Sequence, residues 1–133
     1  MAKNHVLYKA LKQITNAAEA LERQVRLRPA PKVLVRFVEL MQKNGHIGGF
    51  EEIENTHGGK LVVQLNGRLN KCSIVKPVIN VRLAELEGVA DQLVDRLPTY
   101  RVVQVVLTTS AGIITDVDAH EKQVSGEIIG YFY

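Results

Sequence analysis

The stretch Val102-Val103-Gln104-Val105-Val106-Leu107-Thr108-Thr109-Ser110-Ala111-Gly112-Ile113-Ile114-Thr115-Asp116 changes character twice. An apolar run from Val102 to Leu107, broken only by Gln104, predicts a buried strand. Three consecutive hydroxyl residues follow, and then Gly112, where the chain turns. Thr108, Thr109 and Ser110 would place three short donor/acceptor side chains on a rigid platform, with Ala111 and Gly112 freeing backbone N–H groups. Such a loop suits sugar hydroxyls, phosphate oxygens and base edges at close range. A hydroxyl-rich turn that caps the next helix reads equally well from these residues alone. Thr115 is a good N-cap for that short helix, with Asp118 three residues on in capping-box position.

Working upstream, residues 4–22 place Leu7, Leu11, Ile14, Ala18 and Leu21 at three- and four-residue steps, which predicts an amphipathic helix. Lys9, Lys12, Gln13 and Asn16 fall largely off its apolar stripe. Gln24 to Arg28 alternates strictly and reads as a half-buried strand with Arg26 and Arg28 turned outward. Pro29-Ala30-Pro31 ends that strand and opens a second helix, which buries Val33, Leu34, Phe37, Val38, Leu40 and Met41. Asn44-Gly45 stops it. Residues 47–53 and 60–65 predict a hairpin turning at Thr56-His57-Gly58-Gly59.

Asn66-Gly67 and Asn70-Lys71 punctuate the middle of the chain and predict a boundary within 67–71. Strands are expected around 72–75 and 79–83, separated at Pro77, then a helix over 84–97, a strand over 100–107 and a last strand over 127–132. The fold class is therefore α/β with two small subdomains. Residues 1–68 form an N-terminal α-β-α-β-β unit, and residues 69–133 a β-rich unit with short helices and the hydroxyl loop.

Composition narrows the function classes. A hydrophobic content of 46% over 133 residues excludes a dominantly disordered chain. No apolar run approaches the roughly 18–20 residues of a membrane helix. Met1-Ala2-Lys3-Asn4-His5 lacks the apolar region of a signal peptide. Cys72 is the only cysteine, so neither a disulfide framework nor a thiolate cluster is available, and a reducing compartment is expected. Net charge is +3, unevenly spread: residues 1–45 hold nine Lys/Arg against three Glu, and the rest hold eight against eleven acids. A basic half joined to a mildly acidic one predicts a face turned to a polyanion.

Catalytic and metal constellations are not supported. Asp116-x-Asp118-x-His120 offers three ligands within five residues, but on a helix 118 points away from 116 and 120. His5, His46, His57 and His120 lack zinc-site spacing, so no metal and no cofactor are expected. Ser110 sits in neither a nucleophile elbow nor a Walker loop. Cys72 reads as a small core residue. Glu127, after Ser125-Gly126 at a strand start, would oppose phosphate unless it accepts a hydrogen bond from a base, a ribose hydroxyl, Thr109 or Ser110.

Thr108-Thr109-Ser110-Ala111-Gly112, Asp118-Ala119 and Gly126-Glu127-Ile128-Ile129-Gly130 with an aromatic end occur in that order. Together they resemble the C-terminal signature of ribosomal protein S-eight of the small subunit. Gly67-Arg68-Leu69-Asn70-Lys71-Cys72 and Asn16-Ala17 are similar to its archaeal and eukaryotic branch, the S-fifteen-a type. The resemblance implies a structural protein that binds small-subunit ribosomal RNA at a central-domain helical junction and supports assembly of neighbouring ribosomal proteins. It implies an RNA-reading surface from Thr108, Thr109, Ser110, Ala111, Gly112, Gly126 and Glu127. Lys9, Lys12, Arg26, Arg28, Lys32 and Arg36 would supply attraction to phosphate, with Asn16 a further RNA-binding residue. The family's Ser-Lys at the second helix is Pro31-Lys32 here, its Gly-Gly-Glu is Ser125-Gly126-Glu127, and a usual arginine is His120. These departures fit a divergent lineage or an organellar ribosome, against a cytoplasmic one otherwise. The alternatives are a regulatory RNA-binding protein acting on messenger RNA and a small enzyme using the Ser110 loop as an anion hole.

Overall fold

The computed structural model describes residues 2–28, 30–53, 59–81 and 103–133. The chain divides into two compact units, Met1–Ile74 and Val75–Tyr133. The expected helix over 84–97, the strand start at Tyr100 and the turn at Thr56-His57-Gly58 lie outside the described residues.

In the first unit, helix α1 (Ala2–Glu19) is followed by strand β1 (Gln24–Leu27), helix α2 (Lys32–Lys43), and strands β2 (Phe50–Ile53) and β3 (Lys60–Gln64). The strands pair antiparallel in the order β1-β3-β2, with Val25 opposite Val63 and Leu27 opposite Leu61. Those four residues are buried, while Gln24 and Arg26 alternate outward as the period of two requires. Helix α1 buries Leu7, Ala10, Leu11, Ile14 and Ala17, and α2 buries Leu34, Phe37, Val38, Leu40 and Met41. Val33 is only half-buried.

Each helix of this unit ends in a left-handed residue. Gly45, at φ +79°, donates its N–H to the Gln42 carbonyl while His46 donates to Met41, closing α2. Leu21 does the same for α1 at φ +59°, its N–H donating to Ala18 and that of Glu22 to Ala17. The helical period therefore fails at Leu21. It lies beyond the last turn and is 84% exposed, because reversal of the chain there removes it from the apolar stripe.

Strand β4 (Cys72–Val81) starts in the first unit and continues into the second, where with β5 (Gln104–Thr109), β6 (Gly112–Thr115) and β7 (Gly126–Phe132) it forms a sheet in the order β4-β7-β5-β6, and helix α3 (Asp116–Lys122) lies between β6 and β7 in sequence. Two expectations change here. β4 runs unbroken through Pro77 where two strands were predicted. It stands at an edge of this sheet, where a missing N–H is tolerated on the unpaired side. Residues 112–115 form a strand where only a loop and a cap were expected. The sequence hides it, because its turn has Ser110-Ala111 in place of the usual Asn-Gly or Asp-Gly signal.

Val103, Val105, Leu107, Ile114, Ala119, Ile128 and Tyr131 make the core of this sheet and its helix. Val106 pairs with Gly130 but Leu107 pairs with Ile128, so Ile129 is an extra residue on β7. This bulge resets the register just before the strand reaches the hydroxyl hairpin.

Candidate nucleic-acid interface

The hydroxyl loop is the tip of the β5–β6 hairpin. Thr109 faces Gly112 across it, and Gly112 adopts φ +107°, a conformation that a side chain would strain. Thr109 Oγ1 donates to the Gly112 carbonyl at 2.9 Å and accepts the Ala111 N–H at 3.1 Å. Its proton is thus engaged inside the turn, while its oxygen keeps one further acceptor position. Thr109 braces the tip, whereas Ser110, Ala111 and Gly112 are exposed on it. The Ser110 hydroxyl has no intramolecular partner among the described residues. Thr108 is half-buried in the next row, between Ile113 on β6 and Glu127 on β7.

Glu127 is exposed and lies directly opposite Thr108. Its carboxylate takes no bond from Thr109, whose proton goes to Gly112. Gly126 sits opposite Thr109. A Cβ there would strike the Thr108 carbonyl and come within 2.8 Å of Thr109 Cγ2. Only a residue with no side chain lets β7 approach the tip this closely.

Helix α3 begins as the capping pattern predicts: Thr115 Oγ1 accepts the Asp118 N–H at 3.4 Å. Asp116 turns its carboxylate towards β5, where Oδ1 accepts the Val105 N–H at 3.3 Å. Burial pushes the Asp116 carboxyl above its ordinary value, against these stabilising N–H bonds. Among the described residues no three His, Cys, Asp or Glu side chains are grouped as metal ligands.

The basic set lies in the first unit. Lys9, Lys12 and Asn16 are exposed on α1, Arg26 on β1, Arg28 just after it, and Lys32 at the first position of α2. Gln13 Nε2 donates to the Arg26 carbonyl at 3.5 Å, a long bond joining α1 to β1. Pro31 occupies the N-cap of α2 and gives no side-chain bond to the first turn, so that helix start carries Lys32 without a capping hydroxyl. Arg36, also basic and exposed, is bonded to Glu39 at 3.1 Å and is partly neutralised.

Lys12 and Asn16 also line a concavity of about 270 Å³ together with Tyr8 and Lys71. Neither Tyr8 nor Lys71 was foreseen as a site residue. The available signal was helical spacing, since 8, 12 and 16 share one face. The arrangement can hold phosphate oxygens with ammonium and guanidinium groups, and can offer short donors and acceptors at the hairpin tip.

Residues 6–133 match the model of the family described as Ribosomal protein S8. The chain is 51% identical over 133 residues to the small ribosomal subunit protein uS8 of Neurospora crassa, covering all of both chains. It is 47% identical, again over the full length of both, to uS8 of Kluyveromyces marxianus and to uS8B of Saccharomyces cerevisiae. These relatives are ribosomal proteins, not enzymes.

Proposed function

The chain belongs to the ribosomal protein S8 family, and from that premise we propose that it is a structural protein of the small ribosomal subunit that binds ribosomal RNA directly. Full-length similarity to small-subunit proteins carries this reading. The exposed hairpin tip and the exposed basic residues supply the chemistry.

Two kinds of contact divide the work. Lys9, Lys12, Arg26, Arg28 and Lys32 attract phosphates and release counterions, a contribution blind to sequence. Ser110, Ala111 and Gly112 at the tip, with Thr108 and Glu127 behind them, read a sugar edge or base edge in a shallow RNA groove. Thr109 and Gly126 hold that tip in shape. The RNA element bound is a helical junction of the central domain, and binding there supports the docking of neighbouring small-subunit proteins. The working compartment is the cytoplasmic ribosome.

Sedimentation tests this. A tagged copy expressed in cells should travel with the small subunit through a gradient and stay there in high salt. Recovery at the top of the gradient at every salt concentration would contradict the reading.

A further inference from the structure

The concavity on α1 combines charge with an aromatic ring and an amide. Tyr8, Lys12 and Asn16 follow one another at four-residue steps along one helix face, and Lys71 and Ser73 close the opposite side. Its floor is fixed. Thr15 Oγ1 donates to the Cys72 carbonyl at 3.0 Å and lies 3.2 Å from the Cys72 N–H, which it accepts. Cys72 Sγ lies 3.3 Å from the Leu11 carbonyl, to which it donates. The floor's polar groups are thus engaged with one another, and recognition falls to the rim.

That rim carries the ammonium groups of Lys12 and Lys71, the phenol ring of Tyr8, the Asn16 amide and the Ser73 hydroxyl, and among the described residues no carboxylate lines it. Tyr8 is 39% exposed, unusually open for an aromatic ring, and Lys12 Nζ lies 5.9 Å from its centroid. At about 270 Å³ the space falls just under the roughly 300–1,000 Å³ of sites for drug-sized ligands, and fits one flat ring with its sugar-phosphate at the mouth. We propose that this concavity receives a single unpaired nucleotide of the bound RNA. The base lies along Tyr8, its edge meets Asn16, and its phosphate sits between Lys12 and Lys71. An acidic peptide would satisfy the two lysines, but it would leave the ring and the amide unused. This inference rests on the RNA-binding reading above and adds a prediction which that reading does not make.

The test compares an RNA stem carrying one bulged nucleotide with the same stem fully paired, using the full chain. Wild type should prefer the bulged stem by about tenfold, within the range base–aromatic stacking supplies. Tyr8→Leu should abolish that preference and leave affinity for the paired stem unchanged, while Tyr8→Phe should retain it. Lys71→Gln should weaken the bulged stem more than the paired one, and thermal melts of every variant check folding. Equal affinity of wild type for the two stems overturns the nucleotide site while leaving the RNA-binding reading intact. Failure to bind either stem overturns both. Competition by polyglutamate at the same charge concentration as well as by bulged RNA would make the site a mere cation cluster and overturn the proposal.

Discussion

Gly126 and Thr109 face each other across β7 and β5, and a Cβ on the glycine would stand 2.8 Å from Thr109 Cγ2. It would also run into the Thr108 carbonyl, which is backbone and cannot swing aside. Gly126→Ala should therefore destabilise the protein by about 1–3 kcal/mol, the usual range for overpacking. Urea unfolding measures this. A variant as stable as wild type would mean that β7 can draw back from the hairpin at no cost.

Thr109→Val keeps the shape of the side chain and removes the two hydrogen bonds that brace the tip. Partial exposure limits the loss to roughly 0.5–1.5 kcal/mol. Amide exchange at Ala111 should speed up, since its N–H loses its acceptor. Unchanged exchange at that amide would show that the turn holds without the threonine.

Asp116 gives stability a pH signature. Burial raises its carboxyl in the folded state, so between the ordinary carboxylate value and the raised one the native chain binds more protons than the unfolded chain. The stability it contributes is therefore fully present below the ordinary value, where both states are protonated, and is lost as pH rises through that window. Asp116→Asn keeps an oxygen for the Val105 N–H and cannot ionise. The stability of the variant relative to wild type should rise with pH across the window and then level off. A relative stability that declines with pH would reverse the assignment.

Cys72 is buried, and desolvation pushes its thiol up to about 12 despite the opposing bond from Thr15. Alkylation by iodoacetamide at pH 8 should then track unfolding of the chain. Rapid labelling of the native protein, with the pH dependence of an ordinary thiol, would contradict this.

Local patterns carried most of what could be read in advance. The apolar stripe of α2, the outward Arg26, the Gly45 stop and the Thr115 cap depend on residues within one or two turns of each other. What could not be read depends on geometry across strands. The bulge at Ile129 and the close approach at Gly126 are properties of a strand pair, and neither leaves a periodic trace. Nothing in one dimension shows the Thr109 hydroxyl folding back on the Gly112 carbonyl. Leu21 continues the helical period in sequence although the chain has already turned left-handed. Tyr8 falls outside the apolar stripe read for α1, and nothing in one dimension sets it beside Lys71 and Ser73.

RNA binding by this chain divides into two separable contributions, and paired affinities on two RNAs measure them directly. The cognate RNA is a small-subunit central-domain fragment, the other an unrelated hairpin, each titrated over a range of salt. Ser110→Ala should weaken the cognate complex by about 1–3 kcal/mol and leave the unrelated hairpin almost unaffected, because it removes a reading group. Replacing Arg26 and Lys32 with alanine should weaken both complexes alike and flatten the log–log salt slope by roughly one to two units. Equal affinity of the wild-type chain for both RNAs, with a slope unmoved by the double substitution, would contradict the account.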